Sequence, residues 1–341
     1  MLRRFVGGTR GKTAEGDAFS LDVVDPGGHE GGSLRRVPLG FLGHGVSFHR
    51  SAPNRALVFE KRGPGGAVVD LEAGRKTADV APSPGRHFYG HAAFSGDGER
   101  LFVVETDLAS HAGVITERDG KTLAVLRELP TFGDDPHDCV LLEDRRTLAI
   151  TNAGAPLGTQ GTAHEPSVTF VDTETGALVE RFTFGDPKIN AGHIAVTERR
   201  DFVVASAPRN GLPEETSVGG VTIRTRPGKP ERMRAPKELT DQRLLGESLS
   251  VCIDGDVAVV TTPLANVVSF WSLSRKRCLG TLELEFPRGV LPSGQEHLVW
   301  LGYGRALPEV TLVDLRTRER VSGPELPKGI CSGSHLFRWE H

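Results

Sequence analysis

The chain has 341 residues, of which 25% are charged and 38% hydrophobic, with 42 Gly and 22 Pro. Its formal charge of −3 excludes the basic field that nucleic acid or an acidic membrane surface demands, so neither is expected as a partner. No run approaches the roughly 18 apolar residues of a membrane-crossing helix.

At the start, Arg3-Arg4 is not followed by the apolar segment of an export signal. The expected location is therefore cytoplasmic if residue 1 is the native start, and periplasmic if a signal has been removed. Ala18–Val24 and Leu34–Pro38 read as strands that come before any complete repeat. From there a unit recurs: a Gly-rich or polar turn, a short apolar strand, a second β-rich strand, then a third strand ending in an acidic turn. The third strand gives the clearest copies, at Ala67–Arg75, Val168–Ala177 and Val310–Arg318, each alternating into a turn opened by Asp. Fourth strands follow, as at Leu178–Phe184 and Cys278–Leu284. Four short strands per unit, repeated every few tens of residues, are the pattern of a propeller blade. No amphipathic crossover helices of a parallel α/β fold are found; the nearest helical pattern is a turn or two at Pro236–Leu245. An insertion at Pro208–Gly219 reads as a surface loop.

Seven first strands can be counted, beginning near Gly45, Ala92, Asp138, Ile194, Leu249, Gly289 and Leu336. The last has no partners after it, and the N-terminal strands have none before them. The expectation is an all-β, single-domain seven-bladed propeller over residues 1–341, closed by pairing the C-terminal innermost strand with the N-terminal ones. Closure also removes exposed sheet edges.

The residue preceding each first strand is, in order, His44, His91, His137, His193, Ser248, Arg288 and His335, at spacings of 47, 46, 56, 55, 40 and 47. Twelve histidines scattered over the chain would rarely put five into seven equivalent positions. A propeller brings such positions to one ring about its axis. Neutral imidazoles gathered there suit copper or iron, with copper placed first and zinc third. Two other readings stay open: a metal-free polar channel that binds a small molecule, and histidines with only structural roles. Met1 and Met233 are the only methionines, and none of Cys139, Cys252, Cys278 and Cys331 falls in register, which disfavours a sulfur-ligated copper site; the cysteines read as buried small residues. His87 is a further candidate ligand. Glu105 is a candidate base or a group that orients an imidazole, and Arg288 a candidate for steering an anionic group. His29, His49, His111, His164, His297 and His341 are out of register.

The stretches Gly43–His49, Gly85-Arg-His-Phe-Tyr-Gly-His91, Asp135-Pro-His-Asp138, Glu165–Val168 and Ser334–Leu336 resemble a bacterial propeller family described as a domain of unknown function. The resemblance runs from about His44 to His335. It implies a seven-bladed fold, export by the twin-arginine route and genes encoded near imelysin-type iron-uptake proteins; it implies no particular activity. Architecturally the histidine-lined channel is similar to nitrous oxide reductase, carotenoid oxygenases and copper-dependent methanethiol oxidase, which place redox metals on the axis of such rings. Three functions follow as expectations: an oxygen-using copper or iron oxidoreductase acting on a small-molecule substrate, a non-catalytic metal-binding or delivery protein, and a metal-free interaction scaffold.

Overall fold

A computed structural model describes residues 2–27, 32–49, 51–159, 164–213, 216–233 and 246–339. Those residues form seven four-stranded antiparallel sheets and no helix. The first strands are Gly43–His49, Arg86–Phe94, Pro136–Leu141, His193–Val196, Val251–Asp254 and Val290–Pro292 in blades 1 to 6, and Phe337–Arg338 in blade 7. From blade 1 to blade 6 these strands pack side by side around the axis. Blade 7 is composite. Phe337 and Arg338 pair with Val6 and Phe5, and the strands Gly16–Asp25 and Ser33–Leu39 complete the sheet.

Each sheet is apolar on both faces because each is sandwiched between two others. The strand Phe202–Ser206 shows this: all five residues are buried. Val203 and Ala205 join Val260 and Trp271 of blade 5, while Phe202 and Val204 join Phe170 and Ala149 of blade 3. Seven such apolar seams, one between every pair of neighbours, hold the ring. Two-sided burial explains why the second and third strands read as continuous apolar runs, not as clean alternation.

The Asp-initiated turns foreseen in the sequence are Asx turns. Asp172 accepts bonds from the backbone N–H of Thr175 at 2.9 Å and of Glu174 at 3.0 Å. Those bonds, the Thr175 amide first, lower the Asp172 carboxyl to about 2. Of the described residues in the blade 4 insertion, Leu212 and Thr216 border a surface cavity, as expected of a surface loop. The helical turn expected at Pro236–Leu245 lies outside the described residues.

Candidate metal centre

Three first strands break register exactly where their histidines stand. In blade 1 the pairing passes from Gly43↔Glu60 to Gly45↔Phe59, leaving His44 unopposed. In blade 2 it jumps from Phe88↔Glu105 to Ala92↔Val103 around Tyr89-Gly90-His91, and in blade 3 from Pro136↔Asn152 to Cys139↔Ile150 around His137-Asp138. A bulge of this kind kinks the strand and re-aims a side chain, here toward the axis. His193 instead opens a regular strand, opposite Ala205, and His335 lies just before the short strand of blade 7. Glycine makes the close approach possible. Gly90 has φ +113°, and a Cβ there would lie 2.4 Å from Cδ2 of His44.

The outcome is a compact cage. His44, His91, His193 and His335 each offer a ring nitrogen, and those nitrogens all lie within 4.8 Å of one another. The His193 and His335 rings are 3.9 Å apart between centroids, and His44 lies 4.7 Å from His335 and 4.9 Å from His91. All four are at most 8% exposed. Nε2 of each is buried without any hydrogen-bond partner.

The Nδ1 sides are better supplied. Nδ1 of His91 lies 3.2 Å from one carboxylate oxygen of Asp138, and Nδ1 of His193 lies 3.5 Å from the other. Asp138 also accepts the Ile194 amide at 3.1 Å, so one carboxylate links blades 2, 3 and 4. Nδ1 of His335 meets the Ser250 hydroxyl at 3.3 Å. A carboxylate accepts only, so it favours the tautomer with hydrogen on Nδ1 and leaves the Nε2 lone pair facing the cage.

His137, the fifth histidine in register, stands beside the cage. Its ring lies 4.2 Å from that of His193 and 4.5 Å from Tyr89, and both of its nitrogens are buried and unpartnered. The Tyr89 hydroxyl accepts a bond from Arg62 Nε at 2.8 Å. Burial pushes all five imidazoles below their ordinary pKa. Lys61 and the neighbouring rings push in the same direction, while Asp138 partly opposes the shift at His91. The five rings are therefore neutral at pH 7, the state in which imidazole binds a metal.

The other candidate residues are placed elsewhere. His87 is half-buried on the loop side of blade 2, its ring 6.4 Å from Tyr89 and outside the four-nitrogen cage, with Nε2 unpartnered. Glu105 is fully buried but committed to Arg118 at 3.0 Å and to the Ser83 amide at 3.2 Å, away from every ring of the cage. The guanidinium of Arg288 donates to the Gly333 carbonyl at 3.0 Å and to Ser334 Oγ at 3.2 Å, which fixes the turn leading into His335. Ser248 lies buried against Thr262. His111 and His164, out of register, bond Asp135 and Asp134 on the loop face. Cys139, Cys252 and Cys331 are buried free thiols and Cys278 is half-buried; none belongs to the cage. Sequence reasoning missed Asp138 and Ser250. Asp138 directly follows a register histidine, and that adjacency was the available signal.

A family model described as "Protein of unknown function (DUF1513)" matches residues 37–324. The chain belongs to that family. No curated protein matches it. Among solved structures, this DUF1513 chain is similar to the Kuenenia stuttgartiensis hydrazine synthase, with a TM-score of 0.64 and 14% identity over 86% of this chain and 92% of that one. At that identity the likeness shows the propeller fold alone.

The cage fits a transition ion. Ligand nitrogens about 2.0–2.2 Å from a metal stand about 4.2 Å apart when they oppose one another across it. Nitrogens already within 4.8 Å need only a small contraction. An all-imidazole donor set suits copper, iron and zinc, and does not suit calcium or magnesium.

Proposed function

We propose that this protein binds copper or iron through His44, His91, His193 and His335 and uses it as an oxidoreductase that acts on dioxygen and a small substrate. The observation that supports this most is a set of four histidines whose ring nitrogens converge to within 4.8 Å and whose buried Nε2 atoms have no partner. A buried polar atom left unsatisfied costs about 1–3 kcal/mol, so four in one cage are a heavy burden unless something ligates them. When bound, such an ion supplies a redox couple and a Lewis acid. The chain's own residues do the rest. Asp138 and Ser250 hold three rings from behind, and burial and Lys61 keep the imidazoles unprotonated. His137, unpartnered beside His193, is placed to hold or pass a proton at its free ring nitrogen. The same ring also favours a second reading, metal carriage without turnover, because a fifth imidazole would help fill the coordination sphere.

Elemental analysis of protein purified under native expression tests the proposal. About one copper or iron per chain is expected, lost in the His91→Ala/His193→Ala double variant while the far-UV spectrum is kept. Protein that neither carries nor takes up either metal overturns it. Oxygen uptake by the loaded protein separates catalysis from carriage.

A further inference from the structure

The two ends of the cage differ. On the loop side, Lys61, at the end of the second strand of blade 1, reaches Glu247 on the approach to blade 5 at 3.5 Å, an ion pair between distant blades. On the strand side a cavity of ≈ 440 Å³ ends on His91, His193 and His335; His44 and His137 are not among the residues that line it. Its walls include Ala92, Ala93, Val140, Val251, Leu291 and Phe337, all half-exposed, whereas the histidines at its end are nearly buried.

The polar side chains on this wall are already engaged. Ser47 donates to the Ala92 carbonyl at 2.6 Å, Ser250 is shared between His335 and the Val290 amide, and Asp138 serves two imidazoles and the Ile194 amide. No lysine or arginine lines the cavity. Outward it shares Val140 and Leu141 with a groove of ≈ 820 Å³ between blades 3, 4 and 5. The groove carries Glu143, Glu198, Asp201 and Asp256 against Arg199 alone. An anion would thus meet an acidic rim and then a throat whose spare donors are the weak thiols of Cys139 and Cys252. Each step is unfavourable, the second because an ion loses its water with only weak replacement.

We infer that the molecule reaching the histidines is small and uncharged, and that it travels this axial channel from the groove at blades 3 to 5. The inference names the substrate class of the proposed metal centre and so rests on that reading.

Thiol labelling of the full chain tests it, both as purified and after chelation. The variant Ala92→Cys puts a thiol on the channel wall beside His91. It is treated with methyl methanethiosulfonate, which is uncharged, and with the anionic sulfonatoethyl reagent. Each rate is divided by its value in the guanidinium-unfolded variant, and peptide mass spectrometry separates position 92 from the native cysteines. The normalised rate for the uncharged reagent should exceed the anionic one by at least about tenfold. Adding Leu141→Trp at the shared mouth should slow it by about tenfold again. Equal normalised rates, or no slowing by Leu141→Trp, overturn the inference. Ala93→Cys gives the same reading if Ala92→Cys fails to fold. Because the contrast persists without metal, an absence of bound metal would sink the proposed function and leave the channel result standing.

Discussion

Blades 1 to 3 and blades 5 and 6 are built from the same four antiparallel strands and sealed by the same kind of apolar seam, but their first strands begin with different residues. In blades 1 to 3 the ladder slips where the strand enters, and His44, His91 and His137 turn toward the axis from the slipped positions. In blades 5 and 6 the ladder slips at the entry too: Thr261 meets both the Leu249 N–H and the Ser250 carbonyl, and Gly302 meets both the Arg288 N–H and the Gly289 carbonyl. The residues in register there are Ser248 and Arg288, and their polar atoms bond Thr262, Gly333 and Ser334. The repeat therefore supplies the ring and its entry points, and the residue type at each entry supplies the chemistry. Where that residue is Ser or Arg the axis carries satisfied polar groups; where it is His the axis carries orphaned nitrogens.

Acid should expose that contrast most strongly. The five imidazoles are held below their ordinary value of 6.5 chiefly by burial. The unfolded chain then takes up protons first as pH falls. The stability that depends on keeping these rings neutral is full above 6.5 and drains away below it, toward the depressed folded values. Each imidazole contributes at most about 1.4 kcal/mol per pH unit. Urea midpoints of metal-stripped protein between about pH 8 and pH 5.5 should show the loss. His137→Phe, against Tyr89, should remove about one proton from the slope. A flat profile would mean that these rings titrate normally and that the cage is open to water.

The seam under the slipped strands should be the next most sensitive place. A Cβ at Gly45 would sit 1.7 Å from the Gly90 carbonyl oxygen, backbone against backbone, so Gly45→Ala should cost about 3 kcal/mol. Gly255, in the blade 5 hairpin, has a positive φ but open space around it, so Gly255→Ala should cost only about 1 kcal/mol. Similar losses from the two, measured by urea unfolding, would mean that the slipped strands can relax.

Asp138 sharpens the comparison within the cage itself. Asp138→Asn should weaken metal binding about ten- to a hundredfold, because two rings lose their anionic backing. Ser250→Ala, which frees one ring from a neutral partner, should cost about threefold or less. Competition with a chromophoric chelator ranks the two, and equal effects would deny Asp138 its place behind both rings.

Much of this was legible in the sequence. The ring was, since blades 1, 3 and 6 repeat an Asp-opened turn after the third strand and since Leu336-Phe-Arg-Trp needed the N-terminal strands as partners. The histidine register followed from the strand starts. The sequence could not show which imidazoles share a centre. His137 stands against Tyr89 and outside the four-nitrogen group although its strand slips as those of His44 and His91 do, and no pattern of residue types announces that difference. Asp138 acts on rings from the blades on either side of its own, so its value appears only once the circle closes. Glu105 and Arg288 stand where a reader expects chemistry, but each is consumed locally, by Arg118 and by the turn before His335.

The composite blade also bears on the order of assembly. One histidine of the cage, His335, sits two residues before Phe337, the first of the two residues that fasten the last sheet to Val6 and Phe5. A ribosome must deliver more than three hundred residues before that fastening can occur. Six sheets can form during synthesis with three of the four histidines present, but the four-nitrogen group is complete only when the last sheet closes on Val6 and Phe5, so ring closure and completion of the cage are one event.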